Sequence, residues 1–454
     1  MDAIRCRVAP SPTGNLHVGT AHTALFNYLF AKHNQGTFIL RIDDSDPVRS
    51  KKEFEGNIID SLKWLGIDWT EGADIGGPHA PYRQSERMSS YKKYIDQLLQ
   101  SDKAYYCYCS PDELKLEREK QEKAKEAPKY SGRCAKLTNE EKSIFEKEGR
   151  KPSVRFRTPH KIVKFHDLVR GDIDVDAGLF GDFVIARSDG SALLNIAATV
   201  DDIEMHISHA IRGEDFLNMT PRQVLLTEAL GHKPPQFAHL SFLYAPDRTK
   251  LSKRHGATSI TEYKDMGILK DAMVNYLATL GWSNPSGDVF TMEEAIQKFD
   301  ITKVQSSAPI FDYEKLRWMN GEYIRMKSNE ELKELLKRDD PLIDKILPLV
   351  KERMKTLTEF ESLAGFFYEK PTKFEKPLSD QLVKLCQLVL SSCAWTHDAM
   401  EKAIRDTAEK ENIKAKDLFM ELRVAVTGKT VGPPLLESME ILGKDETLAR
   451  LQQS

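Results

Sequence analysis

Two short clusters, far apart in the chain, carry the residue types that handle phosphate. His17-Val18-Gly19-Thr20 stands where a run of turn formers, Pro10-Ser11-Pro12-Thr13-Gly14, gives way to a helix. The first turn of a helix presents unpaired N–H groups and the positive end of its dipole, so phosphate binds there readily. His17 adds an imidazole that donates to phosphoryl oxygens, and Gly14 and Gly19 remove side chains where backbone must approach a ligand. Downstream, Lys250-Leu251-Ser252-Lys253-Arg254 gathers three cations within five residues, beside a hydroxyl. Transfer at phosphorus depends on stabilising charge on the transferring and leaving groups, which a basic loop does well. Either cluster alone also reads as a capped turn or an exposed basic loop. Together they suit a site that grips ATP at both ends and lets pyrophosphate leave.

The elements that must hold these clusters alternate in type. Residues 4–9 read as a buried strand closed by the turn formers. A helix follows with Ala21, Leu25, Tyr28 and Leu29 on one stripe, ending near Asn34-Gln35-Gly36. Residues 37–42 form a second strand with the acidic cluster Asp43-Asp44-Ser45-Asp46 at its end. Phe54, Ile58, Leu62 and Leu65 then mark a second helix, stopped by Gly66. This alternation predicts βαβ units and a parallel sheet, whose ligands collect at the carboxyl ends of the strands. From 103 to 188 the pattern changes: a cysteine-bearing hairpin-like stretch, a charged run at 117–129 read as a solvated helix or loop, and strands at 153–158 and 182–187. That reads as an insertion into the nucleotide fold. Sheet-like segments resume through Val200, 220–231 is a helix, and the chain beyond Ser259 is helical. Leu332, Leu335 and Leu336, and again Leu382, Leu385 and Val389, mark apolar stripes there.

At 454 residues the chain has room for roughly two to four domains. An apolar content of 40% with 30% charged residues is that of an ordinary globular protein, and no apolar run reaches transmembrane length. The N-terminus enters a strand without signal-peptide architecture. Six cysteines in no dense framework imply reduced thiols and a cytoplasmic setting. A net charge of −3 gives no global pull on nucleic acid, so a polyanion needs basic residues gathered on one face. Cys107-Tyr108-Cys109 and the distant Cys134 suit tetrahedral zinc, or else a reduced, metal-free thiol cluster.

The two phosphate-handling clusters resemble the HIGH and KMSKS elements of class I aminoacyl-tRNA synthetases. The text around them narrows the resemblance to the bacterial-type glutamyl-tRNA synthetases. It is carried by Arg7-Val8-Ala9-Pro10-Ser11-Pro12-Thr13-Gly14, Arg41-Ile42-Asp43-Asp44-Ser45-Asp46, Tyr82-Arg83-Gln84-Ser85-Glu86-Arg87, Ile211-Arg212-Gly213-Glu214-Asp215 and residues 311–325. The resemblance runs essentially end to end. It implies a Rossmann-type parallel-sheet catalytic domain (1–82 and 190–245), an inserted tRNA acceptor-binding domain (83–189), a stem-contact helical domain (246–325) and an all-α anticodon-binding domain (326–454). The implied reaction consumes glutamate and ATP with Mg²⁺, forms glutamyl-adenylate and pyrophosphate, and passes glutamate to the terminal ribose of tRNA-Glu. A monomer with no membrane partner is expected.

Carried over by motif, His17, Gly19, Thr20, Lys250, Ser252, Lys253 and Arg254 bind ATP, with His17, Lys250 and Lys253 catalytic. Arg7 faces the side-chain carboxylate of glutamate, Arg212 is a second arginine of the pocket, Ala9 and Ser11 form a wall, and Asp43 holds the α-amino group. Relatives usually carry Glu at Asp43, Tyr at Leu194, and His at Ile203 and Phe216. Losing the tyrosine hydroxyl forfeits on the order of 1 kcal/mol. Tyr130 would be the fourth zinc ligand, in place of a histidine that Lys136 does not supply. Arg353 falls where discriminating members read the last anticodon base, favouring tRNA-Glu over tRNA-Gln. Charging of tRNA-Gln as well, or a degenerate paralogue that only binds tRNA, are the neighbouring readings. Glutaminyl enzymes usually end in β-barrels, which the helical C-terminus disfavours.

Overall fold

The computed structural model describes residues 3–453, without the side chains of Lys253 and Gln453. The chain opens with β1 (Arg5–Val8), α1 (Val18–His33), β2 (Thr37–Leu40), α2 (Lys52–Trp64) and β3 (Glu71–Gly72). α1 stops where expected: Gln35 turns into the left-handed region at φ 54°. A Cβ on Gly36 would lie 2.5 Å from the Ile4 carbonyl oxygen, so only glycine lets β2 start beside β1. The predicted stripe of α1 is buried, but so are Ala24, Phe26, Asn27 and Phe30. The helix is enclosed on two sides, by the sheet and by the helix Met292–Lys298.

Next come α3 (Met88–Gln100), β4 (Ala104–Cys107), α4 (Pro111–Lys123), α5 (Asn139–Lys147), β5 (Ser153–Phe156), β6 (Ile162–Asp167), β7 (Gly171–Asp176) and β8 (Phe183–Ala186). The charged run begins inside α4, which buries no residue and is started by a capping box between Ser110 and Glu113. The cysteine-bearing stretch is not a hairpin. β4 pairs antiparallel with the distant β5, which pairs in turn with β8.

The chain then forms α6 (Leu194–Glu204), β9 (His209–Gly213), α7 (Thr220–Ala229) and β10 (Gln236–Leu240). The sheet-like reading through Val200 was wrong, because Leu194 to Val200 are helical. A short apolar run has no period that separates a buried strand from a buried helix. Here Ala197, Ala198 and Val200 are buried, against α3 and α7.

The main sheet has the order β3-β2-β1-β9-β10-β6-β7, parallel except for the β6–β7 hairpin. That hairpin comes from within 83–189 and extends the nucleotide sheet. Between β1 and β9 the order of travel reverses, and there the loops after two neighbouring strands diverge and leave a crevice.

The chain divides into two compact units: residues up to Glu262 with Val274–Asp312, and Tyr263–Met273 with Tyr313–Ser454. The second is helical throughout its described residues. In its helix Asp380–Ser392 the buried stripe is Val383, Cys386 and Leu390, one position on from the predicted one; Leu382 and Leu385 flank it. No described helix is long and apolar enough to cross a membrane.

Candidate active site

A cavity of about 450 Å³ opens at the crevice between β1 and β9. His17 caps α1: its Nδ1 accepts the Gly19 N–H at 3.0 Å, so the neutral ring carries its proton on Nε2. A Cβ on Gly19 would come within 3.3 Å of Nδ1, whereas one on Gly14 would meet nothing within 4 Å. Within the protein itself, then, a side chain would be crowded at Gly19 and not at Gly14. The segment just after the second cluster is tied to the first through the backbone: the Val18 N–H donates to the Thr258 carbonyl at 2.9 Å and the Ile260 N–H to that of Leu16 at 3.0 Å. A tight turn, closed by Ala245 N–H to the Thr249 carbonyl, sets the Lys250 ammonium 3.6 Å above the centre of the Phe242 ring.

His17, Gly19, Thr20 and Lys250 thus line one cavity, together with Arg7, Ala9, Ser11, Asp43, Leu194 and Arg212. Ser252 and Arg254 do not. The Ser252 N–H donates to His255 Nδ1 at 3.1 Å, and Arg254 donates to the Thr249 hydroxyl at 2.8 Å. The Lys253 side chain lies outside the described residues.

Beneath the cavity runs a buried layer of charge. Arg7 is gripped along its Nε–Nη2 edge by Asp202 at 3.0 and 3.1 Å. Arg41 donates to Asp43 at 2.7 Å and to Asp202 at 2.8 Å. Asp201, fully buried, accepts from Arg87 at 2.6 Å, Gln84 at 2.9 Å and the Tyr91 hydroxyl at 3.0 Å. Burial works against the Asp202 charge, yet Arg7 and Arg41 outweigh it and hold that carboxyl below the usual range. At Asp43 burial wins: despite Arg41, and aided by the charge of Asp201, its pKa is pushed up to about 6. Asp201 and Asp202 were not among the predicted site residues. Their only signal is two adjacent acids interrupting the apolar run of α6.

Arg212, at the end of β9, is held differently. Nε donates to His239 at 3.3 Å, Nη1 to Gln223 at 2.7 Å and Nη2 to the Thr220 hydroxyl at 2.8 Å. Among the described residues no carboxylate lies within 4.0 Å of it. Three of its five N–H bonds are used, which leaves one on each terminal nitrogen. Burial, and then the like charge of Arg7, pushes its pKa down to about 9. A buried cation surrounded by neutral acceptors is a place for an anion.

The three departures separate in space. Leu194 and Phe216 line the cavity, and the Phe216 ring centre lies 5.3 Å from the Arg212 guanidinium. Ile203 packs on the hydrophobic core behind α6.

The cysteines form a second cluster. The three thiol sulfurs of Cys107, Cys109 and Cys134 lie within 4.8 Å of one another, with 3.5 Å between those of Cys109 and Cys134. The Tyr130 hydroxyl oxygen is 3.5 Å from Cys107 Sγ and 3.4 Å from Cys109 Sγ, and accepts the Cys134 N–H at 2.9 Å. Tetrahedral zinc at about 2.3 Å from each sulfur spaces its ligands by roughly 3.5 to 3.8 Å. The donor set and its spacing fit that ion. The Arg155 guanidinium lies 3.8 Å over the Tyr130 ring and donates to Cys107 Sγ at 3.3 Å, which favours thiolate charge at Cys107. In the helical unit Arg353 is exposed, and its charge helps depress the pKa of the half-buried Arg423.

Comparisons with known proteins give the family and the fold. The family model described as "tRNA synthetases class I (E and Q), catalytic domain" matches residues 3–318, and an anticodon-binding-domain model matches 323–454. The chain is 43% identical to glutamate–tRNA ligase 1 of Caldicellulosiruptor saccharolyticus, over 99% of this chain and 98% of the relative. It is 42% identical to the glutamate–tRNA ligase of Symbiobacterium thermophilum, over 99% of each. The crystal structure of a glutamate tRNA ligase from Elizabethkingia meningosepticum, in complex with its amino acid, superposes with a TM-score of 0.89 at 33% identity, covering 100% of this chain and 99% of that one.

Proposed function

The chain belongs to the class I tRNA synthetases for glutamate and glutamine, and on that premise we propose that it is a glutamate–tRNA ligase whose cavity assembles glutamyl-adenylate. A carboxylate oxygen of glutamate attacks the α-phosphorus of ATP, a C–O–P linkage forms, and the bond to pyrophosphate breaks. The 2′-hydroxyl of the terminal ribose of tRNA-Glu then attacks the activated carbonyl, and AMP leaves. No enzyme nucleophile takes part; positioning and charge do the work.

The observation that carries this reading is the charge pattern of the cavity. Arg212 has no carboxylate within 4.0 Å among the described residues, Arg7 uses only Nε and one N–H of Nη2 on Asp202, and Asp43 stands beside them. Three guanidinium groups, Arg7, Arg41 and Arg212, and two carboxylates, Asp43 and Asp215, line the cavity; with Arg41 held by Asp43 and Asp202, the Arg7, Arg212 and Asp43 groups complement an amino acid with two carboxylates and one ammonium. Arg7 faces the side-chain carboxylate, Arg212 is the second cation and Asp43 takes the ammonium, with Ala9, Ser11 and Leu194 as walls. ATP enters with Mg²⁺. The His17 Nε2–H and the N-terminus of α1, with Gly19 and Thr20, receive its phosphates, while Lys250, Ser252, Lys253 and Arg254 attend the departing pyrophosphate.

Around this centre, residues 83–189 serve the acceptor end of the tRNA, 246–325 its stem, and 326–454 the anticodon, with Arg353 at the last base. Cys107, Cys109, Tyr130 and Cys134 hold one structural Zn²⁺, which ties β4 to the loop after α4. Six unpaired cysteines suit a cytoplasmic setting. The test is to charge purified tRNA-Glu and tRNA-Gln with glutamate and with glutamine, side by side. Glutamate on tRNA-Glu alone is the expected result. Glutamine charging, or none, contradicts the reading, and glutamate on tRNA-Gln removes the role of Arg353. A stoichiometric zinc assay on stripped and reloaded protein should return one ion per chain, and no retained zinc refutes the metal site.

A further inference from the structure

The carboxyl ends of three neighbouring strands, β6, β10 and β9, carry Asp167, His239 and Arg212 in a row. Asp167 and His239 have no exposed surface and do not line the cavity. Asp167 Oδ1 accepts three main-chain N–H groups, from Val169 and Arg170 at 3.0 Å and from His239 at 3.2 Å. Its Oδ2 lies 2.5 Å from His239 Nδ1. The proton of that bond sits on Nδ1, so Nε2 presents a lone pair. Into it points the Nε–H of Arg212 at 3.3 Å, with the Thr220 hydroxyl 2.9 Å from the same nitrogen.

We propose that Asp167 and His239 are positioning residues for the amino acid: they fix the tautomer that orients Arg212 toward glutamate without neutralising it. The inference rests on the reading of Arg212 as a glutamate contact. A carboxylate placed directly on Arg212 would orient it and also consume its charge, as Asp202 does at Arg7. With the imidazole interposed, the negative charge stays one residue back and the guanidinium keeps its full attraction for a substrate anion.

The geometry makes Asp167→Asn an informative variant. Oδ1 is pinned by three N–H donors, so the amide nitrogen must take the place of Oδ2 and donate to His239 Nδ1. The imidazole proton then moves to Nε2, where the Thr220 hydroxyl oxygen accepts it while donating to the Phe216 carbonyl, and the Nε–H of Arg212 loses its acceptor. In steady-state charging of tRNA-Glu, the glutamate KM of Asp167→Asn should rise ~10- to 100-fold, the effect of one lost buried hydrogen bond. Its kcat and its KM for ATP and tRNA should stay within about twofold, since only amino-acid binding is touched.

His239→Gln and His239→Phe provide a second comparison that does not depend on how Asp167→Asn folds. Gln returns an acceptor to Arg212 and should keep the glutamate KM within about fivefold, whereas Phe should match the Asn variant. A glutamate KM unchanged in Asp167→Asn, equal values for the Gln and Phe variants, or parallel rises in the KM values for ATP and tRNA would each overturn the proposal. Failure of the underlying reading looks different: wild-type protein would then show no saturable glutamate-dependent charging.

Discussion

Arg7 and Arg212 line one cavity from neighbouring strands, and each is gripped along its Nε–Nη2 edge, but by partners of opposite character. At Arg7 the grip is a carboxylate, Asp202, which Arg41 shares and which sits among Asp43, Asp201 and Arg87. At Arg212 it is an imidazole and a hydroxyl, both neutral. The first side is a self-compensated ionic lattice that folding completes. The second is a cation that folding leaves short of a counter-charge. Removing one partner from the lattice strands a buried charge and should act on stability, whereas changing Arg212 should act on substrate.

The largest expected effect is on the uncompensated side. Arg212→Met should lower kcat/KM for glutamate roughly 10²- to 10³-fold, the usual consequence of deleting one member of a buried charge pair; equal kinetics would remove Arg212 from the site. On the compensated side, Asp202→Ala leaves Arg7 and Arg41 short of a partner and should cost about 3 kcal/mol or more in denaturant unfolding. A loss below about 1 kcal/mol would show that the lattice is not what holds Arg7.

A smaller effect comes through Asp43, whose raised pKa is set by burial, with the charge of Asp201, against Arg41 and Arg7. Its carboxyl is ionised above about 6, so the glutamate KM should climb as pH falls from 7 to 5, by up to about tenfold per unit below the pKa. The same shift acts oppositely on stability. A carboxyl that binds its proton more tightly folded than unfolded adds stability as pH falls through about 6 toward its ordinary value of 3.8. Asp43→Asn should flatten both trends, and a KM that keeps its acid rise in that variant would assign the titration elsewhere. Smallest is Leu194→Tyr. A hydroxyl restored to the cavity wall should lower the glutamate KM by about fivefold, equivalent to ~1 kcal/mol; an unchanged KM would mean that the wall is already complete.

The sequence shows one half of this comparison and hides the other. β1, α1, β2 and α2 were legible because each is an uninterrupted local pattern with its own stop signal, and Arg7, His17, Asp43 and Lys250 sit in motifs beside such stops. Arg212 was legible only through its motif. Its lack of a counter-charge was not, because that depends on which groups β10 and α7 bring beside β9. Asp202 follows a segment, read as sheet-like through Val200, that is part of the helix α6, so its place under Arg7 could not be inferred. Asp167 and His239 are 72 residues apart and meet only through the order of three strands, one of them in a hairpin from the insertion. Lone buried histidines and aspartates carry no periodicity, and local patterning does not find them.

Thermal melting of wild-type protein and of Arg212→Met, each with and without saturating glutamate, tests the central claim most directly. If glutamate supplies the counter-charge that the fold omits, it should raise the melting temperature of the wild type, as any ligand bound only by the folded state does, and leave the variant unmoved. A glutamate-induced rise of equal size in the variant would contradict the claim.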